Sequence, residues 1–121
     1  MDLHVVGPLA SPAERAAIES VVGPREPGLG GHASRGGHAA RGRRDLLLPA
    51  LHAVQARVGW ISQPALNEIC RRLTIPPAEA YGVASFYALF SLAPRPPVVA
   101  HVCDDIACLA RGADQLCADL E

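Results

Sequence analysis

Pro94-Arg95-Pro96-Pro97 constrains this chain more than any other stretch. Proline fixes its own φ, lacks the amide hydrogen a helix or central strand needs, and pushes the residue before it out of the helical region. No helix or strand crosses such a run, so it divides the chain into two units. Before it, apolar residues recur at helical spacing. After it, Val98 to Val102 read as a β-strand, and residues from about 107 to 120 read as one helix, with Leu109, Ala113 and Leu116 in an i, i+4, i+7 row. The expected class is therefore α+β: an N-terminal helical bundle followed by a β-loop-α unit.

Four helices are expected ahead of the break. Ser11-Pro12-Ala13-Glu14 has the form of a capping box with proline at the first helical position, and Gly23-Pro24 stops the helix over 11–22. Leu47, Leu51, Val54 and Val58 mark a second helix. Pro49 is tolerated only in a first turn, so this helix starts between Asp45 and Leu48, and Gly59 ends it. Ser62 caps a third helix over roughly 63–73, where Leu66, Ile69, Cys70 and Leu73 share one buried face. Ile75-Pro76-Pro77-Ala78-Glu79 opens a fourth that runs to about Phe90. Val83, Tyr87 and Phe90 form one stripe of it, and Tyr81, Ser85 and Leu89 a second. Gly82 inside this helix costs about 1 kcal/mol against alanine, a cost usually offset by a neighbouring backbone lying close. The Phe86-Tyr87 pair reads first as core filling and second as a partner-binding face.

The units are read as 1–22, an N-terminal segment with its short helix; 23–44, a flexible Gly/Arg-rich linker; 45–93, the bundle; and 97–121, the β-loop-α. The linker has no apolar period. Its basic cluster reads as solvated rather than as an RNA or acidic-partner site. All eleven basic residues are arginine and the net charge is −1, which argues against nucleic-acid binding. The arginine-only set, with abundant Ala, Gly and Pro, suits a G+C-rich bacterial genome. No segment approaches the roughly 18–20 apolar residues of a membrane span, and Met-Asp-Leu-His does not begin like a signal peptide. The expected location is the cytoplasm, where four cysteines are thiols or metal ligands rather than disulfides.

Cys103 and Cys108 carry the chemistry. They flank Asp-Asp-Ile-Ala at the strand-to-helix corner, a spacing that turns both sulfurs to one side while the backbone arches over whatever they hold. Thiolates on such a loop suit an iron–sulfur cluster, and the start of a helix beside the second adds its positive end. Zinc is the chemical rival, since four intervening residues lie at the edge of its usual spacing. A disulfide oxidoreductase normally has two intervening residues. His101 projects to the same strand face as Cys103 but reads as an ordinary strand residue, and His52 as a surface or satisfied core residue. Cys70 belongs to an apolar face and behaves as a small hydrophobe. If one helix covers Cys108 and Cys117, the nine positions between them, at about 100° each, place them half a turn apart, so Cys117 is not expected to share their ligand.

Four blocks in order are similar to a known family: Leu47-Leu48-Pro49-Ala50-Leu51-His52-Ala53-Val54-Gln55, Gly59-Trp60-Ile61, Tyr81-Gly82-Val83-Ala84-Ser85-Phe86-Tyr87 and Val102-Cys103-Asp104-Asp105-Ile106-Ala107-Cys108-Leu109-Ala110-Arg111-Gly112-Ala113. Over about residues 45–120 the chain resembles the thioredoxin-like [2Fe-2S] subunit of NADH dehydrogenases. That subunit is the E subunit of bacterial respiratory complex I, and it is related to the gamma subunit of NAD-dependent formate dehydrogenases and to the diaphorase part of bidirectional hydrogenases. The resemblance implies that 97–121 is the first, truncated β-loop-α of a thioredoxin-like domain. It implies that Cys103 and Cys108 are two of four ligands of a [2Fe-2S] cluster, the family's second pair, Cys-x-x-x-Cys, falling a few tens of residues further on, past Glu121. Ala84-Ser85 stands where an apolar-Thr pair is more usual. The implied role is an electron-transfer subunit, not catalytic alone, that accepts electrons from a flavin- and NADH-binding partner, in the cytoplasm or on the cytoplasmic face of a membrane complex. The alternative is a cluster-less helical module that docks on the flavin subunit, its thiols idle or zinc-bound.

Overall fold

A computed structural model of the chain describes residues 7–24 and 42–120. Most of the expected linker, and the extreme N-terminus, lie outside the described residues. The elements are α1 (Pro12–Val22), a 3₁₀ turn (Arg44–Leu46), α2 (Leu47–Val58), α3 (Gln63–Leu73), α4 (Pro77–Phe86), α5 (Ile106–Leu109) and α6 (Ala113–Leu120).

Of the first three helices, α1 and α3 start at side-chain caps, while α2 continues directly from the 3₁₀ turn and is closed by its C-cap. In α1 the Ser11 hydroxyl accepts from the Glu14 amide at 3.2 Å, and the Glu14 carboxylate accepts from the Ser11 amide at 2.7 Å. Both satisfy donors that the first turn leaves without intrahelical partners. In α2 the chain leaves the helix through Gly59 at φ 93°, whose amide reaches back to the Gln55 carbonyl. A left-handed residue of this kind closes a helix at no steric cost only as glycine. Ser62 caps α3 by accepting from the Ala65 amide. Thr74 ends α3 in the left-handed region at φ 55°.

One core joins α1 to α4. Ile18 from α1, Leu51 and Val54 from α2, Ile69, Cys70 and Leu73 from α3, and Ile61 and Ile75 from the turns are all buried in it. Polar contacts fix how α1 sits. At its start, Glu14 accepts from the Ser62 hydroxyl, so one carboxylate ties the caps of α1 and α3 together. At its end, Arg43 and Arg72 donate to the carbonyls of Val22 and Gly23. Buried Glu68 receives Arg71 and Arg72 on the same side.

α4 departs from the expected pattern in three ways. It ends at Phe86 rather than near Phe90, because Tyr87 is already extended at φ −83°, ψ 119°. The Gln55 side chain then holds the chain beyond: its amide nitrogen donates to the Leu89 carbonyl and its oxygen accepts from the Ser91 amide. The residues that α4 buries are Ala80 and Ala84, short enough to bring the helix close to its neighbours, while Tyr81, Phe86 and Leu89 face outward. Phe90 alone of the expected stripes is buried, with the His52 ring 4.7 Å from its own. And no neighbouring backbone compensates Gly82: a Cβ built there meets nothing within 4 Å.

The strand expected over Val98–Val102 does not form. A strand exists through its ladder, and no partner strand is present among the described residues. Val98 is accordingly 84% exposed. The single helix expected over 107–120 is two, because Gly112 at φ 93° interrupts it.

Candidate metal centre

The corner at 103–109 is built by Asp105. Its backbone is extended at φ −68°, ψ 163°, and its side chain accepts from the Ile106 amide at 2.7 Å. Its carbonyl receives the amides of Cys108 and Leu109, each at 2.8 Å. One residue thereby builds the turn between Cys103 and Cys108.

The two thiols differ electrostatically. The Asp105 amide, and then the Cys108 thiol, stabilise negative charge on Cys103 and hold its pKa below the ordinary thiol value. Cys108, as the donor, is held above it. The nearby Asp104 carboxylate opposes ionisation of both. The helix beside the second cysteine is shorter than expected. α5 has four residues, too few for its aligned peptide dipoles to add much positive potential. The stabilisation of Cys103 comes from single donors.

Cys103 is exposed and Cys108 half-buried, so both are reachable from solvent. Cys70 is fully buried in the core, and burial pushes its thiol up to about 11. Because Gly112 separates α5 from α6, the single-helix geometry that excluded Cys117 does not apply. Cys117 still stays apart: among the described residues no group of three or more His, Cys, Asp and Glu side chains converges as a metal site. His101 is not brought in either. What this corner offers is two accessible sulfurs on one turn, which suits half of a four-thiolate set.

Two features are not announced by residue type. The Asp105 amide is a main-chain donor, which every residue but proline carries. Gln55 lies off the apolar stripe of α2, yet its side-chain amide clamps the segment leading from the core toward the corner. No helix among the described residues is long and apolar enough to cross a membrane.

The family described as thioredoxin-like [2Fe-2S] ferredoxin matches residues 36–121. NADH-quinone oxidoreductase subunit 2 of Thermus thermophilus is 37% identical over 75 residues, covering 62% of this chain and 41% of that protein. The NADH-quinone oxidoreductase E subunit of Rickettsia bellii is 36% identical over 76 residues, covering 62% and 46%. The second such E subunit of Rhizobium meliloti is 32% identical over 79 residues, covering 65% and 47%. The chain thus spans about half the length of these relatives.

Proposed function

The chain belongs to the thioredoxin-like [2Fe-2S] ferredoxin family, and from that premise we propose that it is an electron-transfer subunit, or the N-terminal part of one, of an NADH-linked oxidoreductase. In this reading Cys103 and Cys108 supply two of the four thiolates of a [2Fe-2S] cluster, and another polypeptide segment supplies the rest. Residues 45–93 are the helical bundle and 97–121 the start of the cluster domain. The partner is the flavin- and NADH-binding subunit of a cytoplasmic or membrane-peripheral complex. The observation that carries the reading is the pair of solvent-reachable cysteines flanking the turn built by Asp105, in a chain whose relatives are named as subunits of NADH-quinone oxidoreductase.

When bound, such a cluster takes up and passes on one electron at a time. The residues here contribute before that. The Asp105 amide keeps charge on Cys103, so this sulfur is prepared to act as a ligand. The Asp105 side chain and carbonyl hold the turn that presents Cys108 beside it.

A second reading, the cluster-less docking module, is favoured by the outer face of the bundle. Tyr81 is 57% exposed and borders a groove of about 400 Å³ with Ile61, Leu66, Pro77 and Leu92. Anaerobic incubation with iron and sulfide of a chain extended to carry the second cysteine pair, followed by metal and sulfide analysis and EPR of the reduced sample, separates the two readings. Equal iron and sulfide, lost in Cys103→Ala and Cys108→Ala, is the expected result. Zinc without sulfide, or neither metal, would leave docking as the function.

A further inference from the structure

We propose that the cleft between α2 and the proline segment after the bundle is a carboxylate site, in which Arg95 and His52 hold the acid group of an aliphatic ligand. The cleft encloses about 340 Å³, within the range usual for small-molecule sites. His52 and Ala56 belong to the α2 wall, and Arg95, Pro97 and Val99 to the other.

The charge balance of the cleft sets the sign of its ligand. Arg95 is half-buried and makes no ion pair or hydrogen bond among the described residues. Arg44, Arg71 and Arg72, by contrast, are each paired with a glutamate. No Asp or Glu lines the cleft. A guanidinium has five donors in a planar fork, and a carboxylate matches that fork with two parallel bonds. The His52 imidazole offers at least one N–H in either protonation state. Gln55 also borders the cleft but adds no free group, since both ends of its amide are engaged by Leu89 and Ser91.

Both walls are set before a ligand arrives. The Gln55 bonds fasten the chain at 89–91 onto α2. The His52 ring packs 4.7 Å from that of buried Phe90. Pro94, Pro96 and Pro97 fix their own φ on either side of Arg95. Little ordering then opposes binding. Ala56, Pro97 and Val99, the last 42% exposed, give the cleft an apolar side. That side suits a carboxylate on a short hydrocarbon chain and gives nothing to an inorganic anion.

The test titrates the full chain, free of metal, with butyrate at constant ionic strength. NMR follows the Arg95 Nε–H, the His52 ring and the Ala56 and Val99 amides. Saturable shifts at all four are expected, with a Kd on the order of 1–10 mM. Butyramide, close in size but uncharged, should not saturate them. Arg95→Gln should weaken butyrate at least about tenfold and, because Arg95 has no partner in the fold, should melt with the wild type. Glutamate blocked at both ends separates the two sources of such a group. Binding as tight as butyrate assigns the site to an acidic side chain of a peptide, and weaker binding assigns it to a free acid. No saturation with butyrate, equal shifts with butyramide or with chloride, or unchanged affinity in Arg95→Gln would each overturn the proposal. The butyramide comparison needs no variant, so it decides even if Arg95→Gln folds poorly. No readout involves metal, so failure to load iron and sulfide would count against the proposed function alone.

Discussion

Glu14 is the best single test of how the bundle is assembled. Its side chain is 5% exposed, accepts the Ser11 amide and the Ser62 hydroxyl, and so joins the caps of two helices across 48 positions of sequence. Burial alone would raise its pKa, but the hydrogen bonds from Ser62 and Ser11 outweigh that, and the carboxyl is held below its ordinary value of 4.5. Truncation in Glu14→Ala removes two charge-assisted bonds and strands a hydroxyl and an amide. A hydrogen bond to a charged group contributes about 1.5–3 kcal/mol, so a loss of about 3–4 kcal/mol is expected. Glu14→Gln keeps the shape and one acceptor and should lose about half of that. The pH dependence has a defined sign. A carboxylate whose folded pKa lies below its unfolded value stabilises fully above the unfolded pKa and loses that contribution as pH falls through the folded one. Urea denaturation should therefore show wild-type stability flat from pH 7 to about pH 5 in this respect and declining below. In Glu14→Gln that decline should shrink. A double-mutant cycle with Ser62→Ala should give a coupling of at least about 1 kcal/mol. If Glu14→Gln matches the wild type at pH 7 and keeps its full acid slope, Glu14 does not fasten α1 to α3.

Gly82→Ala should raise stability by about 0.5–1 kcal/mol in thermal or urea melts, because a Cβ there meets open space and the unfolded chain loses freedom. Destabilisation would show that the helix needs its glycine. Gln55→Ala should cost about 1–2 kcal/mol and speed amide hydrogen exchange at Ser91, whose amide loses its acceptor. Unchanged exchange would mean the clamp is not formed in solution. The Cys70 thiol, raised to about 11 by burial, keeps its proton in the folded chain while the unfolded chain releases it, so stability should fall between about pH 9 and pH 11. Cys70→Ala should flatten that alkaline decline while lowering stability at neutral pH, and an undiminished decline would assign it elsewhere.

Much of the helical architecture is legible in the sequence because its signals are local. Ser11 with Glu14, Ser62 with Ala65, and Gly59 act within one turn of their own positions, so they work the same way whatever surrounds them. The errors fall where the outcome depends on something distant. Val98–Val102 has strand composition, but a strand is a property of pairs and no partner is present among the described residues. Large side chains define the apparent stripes of α4, whereas packing against α3 selects the small Ala80 and Ala84. Gly112 stands in plain view, and the apolar row across it suggests more continuity than a left-handed glycine permits. At the corner, the placing of Cys103 and Cys108 about one short turn follows from their spacing. The donor that sets their difference does not, since a main-chain amide leaves no mark in the residue types.

The alanine face of α4 reverses the usual map of which substitutions matter. Ala80 and Ala84 are 0% and 1% exposed, so a larger side chain at either position pushes the helix off its neighbours at a cost of about 1–3 kcal/mol. Phe86, the largest side chain of the helix after Tyr81, is 79% exposed, and trimming it should hardly alter folding of the isolated chain. A variant survey scored on folding alone would rank the two alanines as critical and the phenylalanine as dispensable. Selection that nevertheless retains the aromatic ring would have to act on something other than stability.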